Sequence, residues 1–378
     1  MKPAYLWAVA FLGIIVFLII IIGLLFFVAR NAELSPDIAS VSALESCKSL
    51  LYSGENAINI VFFGEKNNVE KYKNYMLSVR PFNENKESFN FYYIDSYIPK
   101  CERYRDVALF CHSLELIKKA ASCPNDFIFV LGRDENKIRS SSYENVMSIN
   151  IMHPLSVMAH EFGHAFVSLD EEYVPAQISK NSPNCKEKCS SFESEDKCFE
   201  GCSKNDYYRS IDRGIMRTLS SNEYGKWNEK IILDKLPKSK ILGGVTGNVV
   251  GITDCSKQQY YLIVGNYKNR RIEIKERSME RGCVGGNGAG GISYFLIDGE
   301  DNEIGAPGKF NPSLIYTDAP SIGGAELEIN GEVFENEGKF TLTLPILRQA
   351  MYLSIKDDEY NLANIFLQDI GARACKIK

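Results

Sequence analysis

Five consecutive residues, His160-Glu161-Phe162-Gly163-His164, constrain this chain most, because their chemistry makes sense only on a helix that the rest of the fold holds still. The sequence has four histidines, and two of them stand four apart around a glutamate. Residues i and i+4 share one face of a helix. Two imidazoles placed in this way grip one Zn2+, with Glu161 beside the open coordination position. This is the core of a zinc-dependent peptide hydrolase. The segment His153 to Ser168 reads as the helix, and Pro154 suits its first position. Val157, His160 and His164 share one face, while Ala159, Phe162 and Phe166 form a second, apolar face suited to a core. With Met158 and Leu169 added, the pattern describes a buried helix rather than a solvated one.

A catalytic zinc takes three protein ligands and a water. After His164 the chain runs into Asp170-Glu171-Glu172-Tyr173, and any of the three carboxylates is placed to return as the third ligand. The bland meaning of such a run is a solvated acidic loop. Further on, Asp212-Arg213-Gly214 reads as a turn leading into Ile215-Met216-Arg217. A methionine in a tight turn beneath the zinc is a metzincin feature, which makes Met216 the candidate.

The run His160-Glu161-Phe162-Gly163-His164-Ala165-Phe166-Val167-Ser168-Leu169-Asp170-Glu171-Glu172-Tyr173 resembles the motif of the M64 metallopeptidases, H-E-F-G-H-[SA]-F-x-x-L-x-D-E-Y. These are immunoglobulin-A-peptidase-like relatives of the metzincins. One motif position departs, the family's Asp being Glu171 here, and the longer side chain calls for a different loop path. Met216-Arg217 is similar to the family's Leu-Met-Arg turn, and the likeness spans Ile58 to about Leu236. The resemblance implies an α/β zincin catalytic domain with one catalytic Zn2+. It implies that His160 and His164 are ligands, that Glu171 is the third ligand with Asp170 and Glu172 as rivals, and that Glu161 is the general base. A protein or peptide substrate follows from the same likeness.

Tyr5 to Val28 carries no charge and as a helix extends about 36 Å, enough to cross a bilayer. It is too long for a cleaved signal peptide and lacks a good cleavage site, so it reads as a signal anchor. Lys2 before it and Glu33 and Asp37 after it predict a cytoplasmic N-terminus with the rest of the chain outside the cell membrane. All eleven cysteines lie beyond that stretch. Cys185, Cys189, Cys198 and Cys202 form two C-x3-C pairs, and an antiparallel hairpin of helical turns joins Cys185 to Cys202 and Cys189 to Cys198. The rival, a second structural zinc, suits that spacing poorly. An odd count leaves one cysteine over.

The expected organisation is an anchor at 1–30, a stalk at 31–56, a catalytic domain at 57–236 with a cysteine-rich insertion at 184–203, and a β domain at 240–378. Strands are expected at Ile58–Phe63, Phe89–Ile94, Phe127–Leu131 and Val146–Ile149, with helices at Val69–Val79 and Arg103–Ala121. Beyond 240, short alternating runs and a hairpin signal at Asn330-Gly331 predict an immunoglobulin-like sandwich. The glycine-rich run after Val284 lacks the Lys-Ser/Thr of a phosphate loop, and a net charge of −5 leaves no footprint for nucleic acid. The reading is therefore a membrane-anchored, extracytoplasmic zinc metalloendopeptidase. Its rivals are a catalytically idle surface-binding protein on the same fold and a zinc hydrolase of a non-protein amide.

Overall fold

Strand β2 (Ile58–Phe63) shows how the centre of the fold is made. Its β-branched and aromatic residues alternate between two faces, and both faces are covered. Ile60 and Phe62 face one core, Val61 and Phe63 the other. The computed structural model describes residues 43–193, 197–237, 254–286, 288–321, 328–336 and 338–372.

β2 lies between β3 (Phe89–Ile94) and β6 (Phe127–Gly132), and β6 is followed by β8 (Val146–Asn150), all parallel. β1 (Lys48–Leu51) closes one side antiparallel to β3, and β7 (Ser140–Tyr143) runs antiparallel beside β8. The front face is covered by α1 (Lys66–Met76), α3 (Ser156–Val167) and α4 (Lys226–Lys235). The back face carries α2 (Leu114–Ala120).

The helix expected over Arg103–Ala121 is mostly something else. β4 (Glu102–Tyr104) and β5 (Ala108–Phe110) form a hairpin turned by Arg105 and Asp106, both at positive φ, and only α2 is helical. The Cys101–Cys111 disulfide closes this hairpin, a constraint that hydrophobic spacing does not register.

β9 (Phe199–Cys202) and β10 (Lys204–Arg209) make the cysteine-rich insertion a strand hairpin, not a pair of helical turns. The pairing expected there is present, Cys185–Cys202 and Cys189–Cys198. With Cys47–Cys123, Cys101–Cys111 and Cys255–Cys283, five disulfides are formed, and Cys375 lies outside the described residues.

From Gln259 onward the described chain is almost wholly strand. β11 (Gln259–Lys268), β12 (Arg271–Arg281) and β17 (Lys339–Pro345) form one sheet in the order β12-β11-β17. β13 (Ile292–Ile297), β14 (Glu303–Phe310), β18 (Tyr352–Lys356) and β19 (Asn361–Phe366) form another in the order β14-β13-β18-β19. Ile263, Phe310, Leu342 and Leu353 share the core between them. Here β11, the first strand, is central in its sheet, whereas an immunoglobulin ABED sheet has its first strand at the edge.

Two strands leave this region. β15 (Leu314–Pro320) pairs antiparallel with β7, and β16 (Ile329–Glu335) pairs with β15, so the main sheet has eight strands in the order β1-β3-β2-β6-β8-β7-β15-β16. The expected α/β class is thereby corrected. The described protein is predominantly β, and its principal sheet is completed by strands from the C-terminal third. The described residues from Ala43 onward form one compact unit rather than a separate catalytic and β domain. Asn330-Gly331, expected as a turn, lies inside β16 opposite Ala319 and Asp318.

The transmembrane expectation is corrected as well. No helix among the described residues is long and apolar enough to cross a membrane, and the proposed anchor, Tyr5 to Val28, lies outside them. Single-pass placement in the cell membrane therefore has no support among the described residues.

The Cys47–Cys123 bond spans 76 residues and ties the lead into β1 to the end of α2. Replacing both cysteines by serine is expected to cost about 4 kcal/mol in denaturant unfolding, since long loops lose most from a missing cross-link. A loss under about 1 kcal/mol would show that the hydrophobic contacts of β1 alone fix this edge.

Candidate metal centre

The helix that carries the motif is docked by aromatic packing. Phe162 and Phe166 stack on each other at 5.0 Å, and both meet the ring of Phe127 edge-on, at 5.2 and 5.7 Å. Each fully buried phenylalanine contributes roughly 1.5–3 kcal/mol. Gly163 faces Met216 and Tyr224, where an added Cβ would stand 2.8 Å from the Met216 sulfur and 3.2 Å from the tyrosine ring. The glycine lets the methionine turn approach the helix. That turn is closed by the backbone N–H groups of Arg217 and Thr218, which donate to the Gly214 carbonyl. The Tyr224 hydroxyl donates to the Ala159 carbonyl on the helix.

The two motif histidines are fixed from behind. His160 Nδ1 lies 2.9 Å from the Ile215 carbonyl oxygen, and His164 Nδ1 lies 2.5 Å from that of Leu169. A carbonyl only accepts, so each Nδ1 carries hydrogen, and Nε2 is the atom each ring turns toward the centre. The two Nε2 atoms face each other at 3.1 Å.

Helix α3 ends at Ser168, which is left-handed at φ 55°, and the chain reverses there. The reversal sorts the three acidic residues. Glu171 returns to the histidines, with Oε1 3.0 Å from His164 Nε2 and Oε2 3.3 Å from His160 Nε2. Asp170 turns away and accepts from the Ser179 backbone N–H and hydroxyl. Glu172 accepts from the side-chain amides of Asn228 and Asn184. The cysteine-rich insertion holds this loop: Ser203 Oγ donates to the Glu171 carbonyl, and Asn184 bonds both backbone groups of Asp170.

The fourth group came with no warning from the motif. Asp318, on β15, brings Oδ2 to 3.3 Å from His160 Nε2 and 4.0 Å from His164 Nε2. Its other oxygen accepts from the Tyr173 hydroxyl at 3.1 Å. Gly331 explains how they fit. A Cβ there would stand 1.9 Å from Asp318 Oδ1 and 2.2 Å from the Tyr173 hydroxyl. Tyr316, two residues earlier on the same strand face, stacks on the His164 ring at 4.0 Å. The one available sequence signal was an acidic residue inside Leu314–Pro320, a strand otherwise buried almost throughout.

His160, His164, Glu171 and Asp318 thus place one ligand atom each within 4.8 Å of one another, and their side chains are fully buried. Both Glu171 oxygens and Asp318 Oδ2 have no polar partner apart from the two imidazoles, and both oxygens of buried Glu161 have none. Such a concentration of lone pairs is stable only around positive charge. Burial opposes charge on His160, yet the carboxylates of Asp318 and Glu171 outweigh it and hold its pKa well above the ordinary value. Burial alone raises the Glu171 carboxyl, but the imidazoles of His164 and His160 bring it down to about 2. Burial, with the charge of Asp318 next, pushes Glu161 well up. The carboxylate field that favours a proton on His160 also attracts a metal cation, and the donor set of two imidazole nitrogens and two carboxylates suits one. No protein-family model matches this sequence, and no curated protein matches it.

Valine at position 163 would drive its Cβ and two methyl groups into Met216 and Tyr224. The Gly163→Val protein is expected to lose about 2 kcal/mol or more by overpacking and to bind metal more weakly, as read by thermal unfolding and metal titration. Unchanged stability and metal affinity would contradict the role given to this contact.

Proposed function

We propose that this centre holds a catalytic Zn2+ and that the protein is a zinc-dependent metalloendopeptidase, a distant M64-like relative of the metzincins. The observation that carries the reading is the pair of Nε2 atoms 3.1 Å apart, each ring oriented by a backbone carbonyl, with the unpartnered Glu161 between them in sequence. His160, His164 and Glu171 would hold the ion. When bound, such an ion polarises a scissile carbonyl and makes water a better nucleophile at neutral pH.

Glu161 is the general base. Its buried carboxylate has no competing hydrogen bond, so it is free to take the proton from the attacking water and deliver it to the leaving amine. A cavity of about 440 Å3, lined by Tyr173, Asn205, Arg213, Arg217 and Glu328, lies beside the centre and is the natural place for a peptide. Five disulfides fit a protein that works where thiols are oxidised.

Asp318 favours a second reading, a structural ion enclosed by four protein groups. Glu161 weighs against it, because a structural site has no use for an additional buried acid with both oxygens unpartnered.

The test is metal analysis of the full chain together with cleavage of a peptide library. Glu161→Gln is expected to keep one zinc per chain and lose about 100- to 10,000-fold in cleavage rate, the usual worth of a positioned base. His160→Ala and His164→Ala are expected to lose the metal. Equal cleavage by the parent and Glu161→Gln would remove the base assignment, and a parent protein that takes up no zinc would remove the whole reading.

A further inference from the structure

A catalytic zinc needs a position that water and substrate can reach. Four protein groups already converge on this centre, and none of their side chains is exposed. His160, Glu161, His164 and Glu171 come from one stretch of chain. Asp318 comes from β15, and its Oδ2 reaches the same space as the Glu171 oxygens. We infer that Asp318 is a built-in plug: it fills the fourth coordination position, so this form of the enzyme is latent, and β15 must move before substrate can enter. The inference rests on the zinc-peptidase reading above.

Three features support a plug over a permanent ligand. The first is the short register between β15 and its inner neighbour: β15 pairs with β7 through Tyr316, Thr317 and Asp318 alone, with Tyr316 also stacked on His164. Beyond β15 lies β16, the edge of the sheet, so the two strands can leave together by breaking one strand pair, β15 with β7. The second is Tyr173. It lines the neighbouring cavity and also donates to Asp318 Oδ1. The Tyr173–Asp318 contact therefore stands between the cavity and the histidines, none of which line that cavity. The third is Gly331, the one residue type that leaves room over β16 for the aspartate and the tyrosine hydroxyl together. Withdrawal of β15 would empty the fourth position and bare the edge of β7, to which an extended peptide can add as a strand.

The test uses the full chain loaded with Co2+, whose visible spectrum reports coordination, and acetohydroxamate, a small chelating probe that needs an open position on the metal. Asp318→Ala removes the plug. Asp318→Asn, nearly isosteric, serves if the alanine protein folds poorly, and near-UV circular dichroism checks both. If the closed form holds about 99% of the parent population, the probe is expected to bind the variant about 100-fold more tightly. Peptide cleavage by the zinc-loaded variant is expected to rise by a similar factor, and Glu161→Gln in the same background abolishes it. Equal probe affinity in parent and variant would overturn the plug and leave the peptidase reading intact. Loss of metal from a folded variant would do the same, by making Asp318 an obligatory ligand. Tighter probe binding without cleavage in any variant would instead overturn the peptidase reading, and latency with it.

Discussion

The structure turns on one electrostatic requirement. Two imidazole nitrogens and the oxygens of Glu171 and Asp318 meet in a space closed to solvent, and the Glu161 carboxylate is buried beside them without a partner. Left alone, the carboxylates repel one another and every buried charge remains desolvated, at a cost of several kcal/mol each that the imidazoles only partly offset. A cation at their focus reverses the sign of nearly every term. The surroundings are arranged to keep the focus in place: carbonyls hold the imidazoles, Phe162 and Phe166 anchor the helix, and Ser203 and Asn184 hold the acidic loop.

This accounts for features that otherwise look unrelated. The cysteine-rich insertion is remote in sequence from the histidines, yet its disulfide Cys185–Cys202 lies directly behind Glu171, whose carbonyl accepts from Ser203. Met216 matters for its shape and for its neighbour: Gly163 makes the space it fills, and the adjacent Ile215 supplies the carbonyl that orients His160. The C-terminal strands likewise serve as more than an appended domain, because β15 and β16 extend the main sheet and bring a carboxylate to the centre.

Much of this was legible in the sequence for a physical reason. His160 and His164 are bound by helical spacing, and the apolar face of their helix announces itself locally. The strands around Ile58, Phe89, Phe127 and Val146 are short apolar runs that lie where expected. The failures are equally physical. Arg103–Ala121 has helical spacing of apolar residues, but a disulfide and two positive-φ residues turn its first half into a hairpin. Asn330-Gly331 looks like a turn because glycine usually serves backbone freedom, whereas here it serves a close approach. Asp318 was hidden because the pairing that delivers it, Asp318 with Ser140, joins distant segments, and no local pattern encodes such a pairing.

The proposed metal ion sits between His160, His164 and Glu171. Crystals of the full chain grown with zinc, measured on both sides of the zinc absorption edge, test it most directly. A single strong anomalous peak is expected about 2.0–2.2 Å from both Nε2 atoms and a Glu171 oxygen. A map without a peak there, with the two imidazoles instead bridged through a proton to the carboxylates, would contradict it.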